Sequence, residues 1–193
     1  MVTAPARSQI EIVDYREDWP AEFRRLAKRL HTLPGLSILA LHHIGSTAVP
    51  GLAAKDVIDL QMTVSSLGAP DEEALGAAGF RLGAPTSDHC PPGRSLPADQ
   101  LSKRFYYHAE RPANLHLRQA GRFNQRYPLL CRDYLRSHRL AADAYGAIKR
   151  QLANYFPNDP AAYYALKDPT FDLLMAGAED WAKTVHWSEP PSD

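Results

Sequence analysis

Between Leu41 and Val64 the chain reads LHHIGSTAVPGLAAKDVIDLQMTV, and no other stretch restricts its fold as much. An apolar run from Ile38 to Ile44 stops at Gly45-Ser46-Thr47, and a second run from Val57 to Val64 alternates as a strand does. The turn between them is small enough for a phosphate to approach backbone N–H groups, with the Ser46 and Thr47 hydroxyls as further donors. If a short helix follows from about Val49 onward, its free N–H groups and positive end would favour an anion at the same place, and Lys55 would then neutralise part of it. On the second strand Asp59 and Gln61 share one face, while Ile58, Leu60 and Met62 take the other. A carboxylate on an otherwise apolar strand suits a divalent cation, and Mg²⁺ prefers one or two carboxylates plus substrate phosphates and waters. The plainer reading is an aspartate that caps a turn at the strand end.

The remaining composition bounds the classes. A chain of 193 residues, 45% hydrophobic and 23% charged, is ordinary for one domain with a single sizeable core. Residues 10–185 are read as that domain, with tails at 1–9 and 186–193. No apolar run approaches the roughly 18 residues of a membrane span, and MVTAPARSQ lacks the apolar core of a signal peptide, so a cytoplasmic protein without membrane contact is expected. Cys90 and Cys131 have no metal-ligand spacing and are expected as reduced thiols. A formal net charge of zero argues against generic nucleic-acid binding. Leu101 to Arg150 nevertheless carries eleven Lys and Arg against three acids, a segregation that suits either a small anionic ligand or scattered solvated helix faces.

Periodicity supplies the other elements. Pro20 opens a helix whose Phe23, Leu26 and Leu30 form one apolar stripe, ended by Pro34-Gly35. Asp71 caps a short helix that ends by Gly79, and Phe80 to Leu82 begins a strand. From Gly83 to Leu101 no hydrophobic period is visible; a loop this long is expected to be functional or mobile, for instance as a lid. Arg104–Ala109 and Asn114–Gln119 are paired as a hairpin, with Asn114, His116 and Arg118 on one face. The rest is helical: Arg132 and Arg136 stand one turn apart, the stripe from Ala141 to Tyr155 reads as core packing, and helix starts are expected at Asp159-Pro160 and at Asp168-Pro169.

HHIGSTAVPGLAAKDVIDLQ closely resembles the signature of the GrpB family, whose fold is that of the nucleotidyltransferase superfamily. RPANLHL, LLCRDYLRSH, AYGAIKRQLA and YYALKDPTF extend the resemblance over nearly the whole chain. It implies an α+β fold, a nucleotidyltransferase-like mixed sheet with helices packed on it and a helical last third. It also implies a nucleotide as ligand or substrate: triphosphate at Gly45, Ser46 and Thr47; Asp59, with Gln61 in the second acidic position, at Mg²⁺; His116 or His43 as proton acceptor; and Lys55, Arg132 and Arg136 as charge stabilisers. Where the superfamily has a second acid stands Gln61, and His116 falls near the third, so two bridged metals cannot be built from Asp59 alone. Asp56, in place of an expected proline, faces away from Asp59 on a regular strand. A nucleotidyl-transferring enzyme is one expectation. The alternatives are a non-catalytic nucleotide- or CoA-related module, since GrpB-like domains occur joined to dephospho-CoA kinase, and a protein-interaction domain. No Gly-x-x-x-x-Gly-Lys-Ser/Thr loop is present.

Overall fold

The structure is a computed structural model and describes residues 9–68, 70–84, 86–108 and 110–193. Residues 1–8 of the expected tail, and Pro85 and Ala109 of the expected loop and hairpin, lie outside the described residues.

Helix α1 (Trp19–His31) carries Pro20 in its first turn, where a missing N–H costs nothing. Its buried stripe of Trp19, Phe23, Leu26, Ala27 and Leu30 lies on one face of a sheet made of β1 (Ala40–Ile44), β2 (Ile58–Val64), β3 (Phe80–Leu82), β4 (Arg104–His108) and β5 (Ala113–Gln119). The strand order is β1-β2-β5-β4-β3; β2 and β5 run parallel and the other neighbours antiparallel. Helix α2 (Glu72–Ala77), capped by the Asp71 side chain on the Ala74 N–H at 2.9 Å, adds Leu75 to the same layer. Leu41, Leu60, Met62, Leu115 and Leu117 fill this core from the sheet side, each burial worth about 1.5–3 kcal/mol.

Alternation then dictates the other face. Ile44, Asp59 and Asn114 stand in register across β1, β2 and β5, as do His42, Gln61 and His116, so a row of polar side chains faces away from the core. That face is covered by α3 (Phe123–Ser137), α4 (Arg139–Tyr155) and α5 (Pro160–Val185). Two expectations need correction. No helix follows Val49; the turn is a single 3-10 stretch, Ser46–Ala48, after which Val49 is extended and Gly51 takes a left-handed φ of 75° that a helix cannot use. Nor does a helix begin at Asp168: α5 runs through Pro169. Proline forfeits one helical N–H there, and the Thr170 hydroxyl donates to the Leu166 carbonyl at 3.0 Å nearby.

Gly45 joins the two layers. Its φ is +73°, and a Cβ built on it would lie 2.4 Å from Asp59 Oδ2. Gly45→Ala is therefore expected to cost more than about 1 kcal/mol, read as a lower urea midpoint at unchanged slope.

Candidate functional site

A cavity of about 720 Å³ opens between the polar sheet face and the last three helices. Its floor is the Gly45–Thr47 turn with Asp59, Phe105, Asn114 and His116; one wall is Ala84, Ser87, Asp88 and His89; the other is Tyr127, Tyr145, Lys149, Tyr163, Tyr164, Lys167 and Phe171. The sequence places each group by simple rules: strand parity puts Asp59 and His116 on the floor, and i, i+4 spacing puts Tyr145 with Lys149 and Tyr163 with Lys167 on one helix face each.

Lysine amines dominate the end near the turn. Lys149, 3% exposed, donates to Ser46 Oγ at 2.7 Å and to the Ala53 carbonyl at 2.5 Å, and its amine lies 4.6 Å from the Tyr145 ring centroid. Burial, and then the neighbouring charges of Lys167, Lys55 and Arg150, push its pKa down to about 7. Lys55 reaches the Tyr164 hydroxyl and lies over the Tyr163 and Tyr164 rings. Lys167 pairs with Asp168 at 2.8 Å. Lys149 thus has a hydroxyl and a carbonyl as hydrogen-bond acceptors, and the Lys55 and Lys167 amines line the same cavity.

On the floor, the Asp59 carboxylate accepts from Asn114 Nδ2 at 2.8 Å, and its Oδ1 lies 3.8 Å from His116 Nε2. Burial opposes its ionisation, but His116, Asn114 and Lys55 outweigh it and hold the carboxyl below its usual range. His116 is pushed down to about 4, by burial first and then by the Arg118 charge, so its imidazole is neutral at pH 7.

Not every residue read from the sequence converges here. His43 lies on the opposite face of β1, stacked on Phe23 with ring centroids 4.9 Å apart and with Nε2 3.0 Å from Thr47 Oγ1; burial lowers its pKa to about 4. Gln61 is fully buried: its amide donates to the Gln125 carbonyl at 2.8 Å and its Oε1 accepts from Arg118 at 2.8 Å. A carboxylate could not make the first of these bonds. Arg132 lines the cavity, yet its guanidinium is bound to Asp133, Asp193 and the His43 carbonyl, each at 2.8–2.9 Å. Arg136 donates to the Ala48 carbonyl at 2.9 Å, behind the turn. Asp56 is engaged by Trp19, Arg16 and Arg111.

Asp88 sits in an aperiodic loop, where no periodicity or motif marks it as a site residue. It accepts from Lys103 at 2.5 Å, from Arg118 at 2.8 and 3.0 Å and from Asn124 at 3.1 Å. Although burial alone would raise its pKa, Arg118 and Lys103 hold the carboxyl far below the usual range. The loop is therefore anchored to the sheet at Asp88 and to α5 through His89 and Asp172, 2.9 Å apart. Lys149 and Lys167 are further cavity groups beyond those the motifs mark, and their sequence signal is the Tyr-x-x-x-Lys spacing repeated on two successive helices.

Among the described residues no group of three or more His, Cys, Asp and Glu is arranged to hold a metal ion. With Gln61 Oε1 turned to Arg118 and Asp88 committed to two cations, the donor set does not fit a two-metal centre. No helix of the described residues is long and apolar enough to cross a membrane.

Fold and site together define an α+β domain in which a mixed sheet and three helices enclose a lysine-lined cavity beside a glycine turn. A family model described as GrpB protein matches residues 9–176, and the chain belongs to the GrpB family. It is 38% identical over 199 residues to a dephospho-CoA kinase of Mycolicibacterium paratuberculosis, covering 94% of this chain and 49% of that protein. It is 32% identical over 179 residues to UPF0157 protein YqkA of Bacillus subtilis, covering 92% and 49%. The chain spans about half the length of both relatives. The crystal structure of conserved protein GrpB from Enterococcus faecalis superposes with a TM-score of 0.70 at 25% identity, covering 89% of this chain and 99% of that one.

Proposed function

We propose that the cavity binds a nucleotide or a related phosphate ester, with phosphate at the Gly45–Thr47 turn. The observation that carries this reading is the Lys149 amine, buried against Ser46 beside Lys55 and Lys167. A buried charge without a carboxylate partner is costly, and an anion from outside removes the cost. The aromatic wall of Tyr127, Tyr145 and Phe171 offers a surface for a planar base, and the volume accommodates a nucleoside polyphosphate. CoA, an adenine nucleotide carrying several phosphates, fits the same description and agrees with the dephospho-CoA kinase name of the relative in Mycolicibacterium paratuberculosis.

Nucleotidyl transfer is the second reading, favoured by an ionised Asp59 beside a neutral His116 on the cavity floor. A single Mg²⁺ arriving on the ligand's own phosphates has Asp59 as its protein carboxylate, and no second ion is invoked. In this reading His43 and Arg136 shape the turn from behind, Arg132 borders the cavity while bound to Asp133 and Asp193, and Lys55, Lys149 and Lys167 meet the phosphates.

Calorimetric titration with ATP, GTP, CTP, UTP and CoA, with and without Mg²⁺, tests both. One of these ligands is expected to bind at micromolar affinity and to weaken about tenfold in Ser46→Ala, the worth of one charge-assisted contact. Dependence on Mg²⁺ that disappears in Asp59→Asn favours transfer; affinity indifferent to metal favours a binding module. If all five bind more weakly than millimolar, the phosphate reading is wrong.

A further inference from the structure

Strand β1 ends the sheet on one side, and an edge strand presents unpaired N–H and C=O groups that invite another chain. Here residues 189–193 fill that place. Helix α5 stops at His186, whose left-handed φ of 53° turns the chain back. Along β1 the Leu41 N–H then donates to Ser192 Oγ at 2.9 Å, and the Leu41 carbonyl accepts from the Asp193 N–H at 3.0 Å and from the Ser192 hydroxyl at 2.8 Å. The His43 N–H donates to the Asp193 carboxylate at 2.8 Å. His42 Nε2 lies 3.2 and 3.1 Å from the Pro190 and Pro191 carbonyls.

The side chains beneath supply hydrogen-bond donors, one of them charged, to the acids that lie above. Arg132, with a side chain 1% exposed, donates to Asp193 Oδ2 at 2.8 Å, and Gln125 donates to Glu189 Oε2 at 2.9 Å. Both donors stand on α3, seven residues apart and hence on one face, so two acids separated by Pro-Pro-Ser meet two donors separated by about two turns. Consecutive prolines hold a segment extended before it docks, which lowers the ordering cost. Edge, donors and occupant are far apart in sequence, which makes the arrangement a ligand and its receptor held on one chain.

We propose that the β1 edge with Arg132 and Gln125 is a receptor for an extended acidic peptide of the pattern acid-Pro-Pro-Ser-acid, filled in this structure by residues 189–193 of the chain itself. The partner it takes in place of its own segment is a peptide of the same chemistry, held along the β1 edge by one backbone bond and by its serine hydroxyl, with a carboxylate on Arg132. The peptide lies along the β1 edge rather than in the phosphate cavity, and Arg132 borders both.

The test uses the full chain and its Glu189→Ala, Asp193→Ala double variant, with a fluorescent WSEPPSD peptide as probe. In the unaltered chain the Leu41 and His43 amides are expected to be protected from hydrogen exchange and the probe excluded. In the double variant both amides exchange at least tenfold faster, the probe binds at micromolar affinity and restores the protection, and adding Arg132→Met abolishes capture. Should that triple variant fail to fold, Gln125→Ala in the double variant is expected to weaken capture several-fold instead. Equal exchange in the two chains overturns the proposal. So does faster exchange without capture of the probe, which would make residues 189–193 a tether with no receptor.

Discussion

Asp88→Ala is expected to destabilise the protein by about 3–5 kcal/mol, the loss typical when one partner of a buried ion pair is removed. Lys103 and Arg118 are 7% and 4% exposed, and Asp88 is the carboxylate that both of them meet. Without it two cations face each other under the loop, and Asn124 Nδ2 loses one of its two acceptors. Denaturant unfolding of the variant measures the loss, and a change below about 1 kcal/mol would show that water reaches these cations and that the loop is not clamped. The pH dependence carries the same signature. Because the folded carboxyl titrates far below the unfolded value near 4, its contribution is present above that value and is lost as pH falls towards the folded pKa. The unaltered protein should therefore lose stability on acidification below about pH 4, and Asp88→Asn should lose less over the same interval.

Lys149→Met is expected to separate stability from binding. Phosphate-ligand affinity should fall about ten- to a hundredfold, the worth of a hydrogen bond from a charged donor, while the ligand-free protein melts at the same or a higher temperature. The sign follows from linkage. The folded amine titrates at about 7 and the unfolded one near 10.4, so between these values the unfolded chain binds a proton that the folded one lacks. Stability should rise with pH across that window in the unaltered protein and rise less in Lys149→Met. Ligand affinity should move the opposite way, falling above pH 7 as the amine loses the proton the anion needs. A variant that binds as tightly as the original, or an affinity flat from pH 7 to 9, removes Lys149 from the site.

How much of this was legible depends on whether a property is local. Asp59 and Asn114 share a face because strands alternate, and the break at Gly45 is written in the residues themselves. His43 was harder: on β1 it is followed by Ile44, and only pairing with Leu60 rather than Asp59 decides which of the two faces the cavity. That register is a tertiary fact. Pro169 looked like a helix start because proline usually is one, yet in α5 it is tolerated where Tyr163 and Phe171 are both packed. Asp88, Lys149 and Arg132 carry ordinary sequence contexts, and their meaning comes from partners 15 to 103 residues away.

The parallel pairing of β2 with β5 also sets the order in which the molecule can be completed. Asp59 lies 55 residues before its hydrogen-bond partner Asn114, and every cavity wall on α3, α4 and α5 comes later still. A nascent chain that has emerged only as far as the hairpin turn holds the glycine turn and its aspartate on an open sheet margin, with Leu60 and Met62 covered by the layer of α1 and α2. Synthesis thus delivers the floor of the cavity before its helical walls, and the cavity closes only once α3, α4 and α5 have followed the sheet.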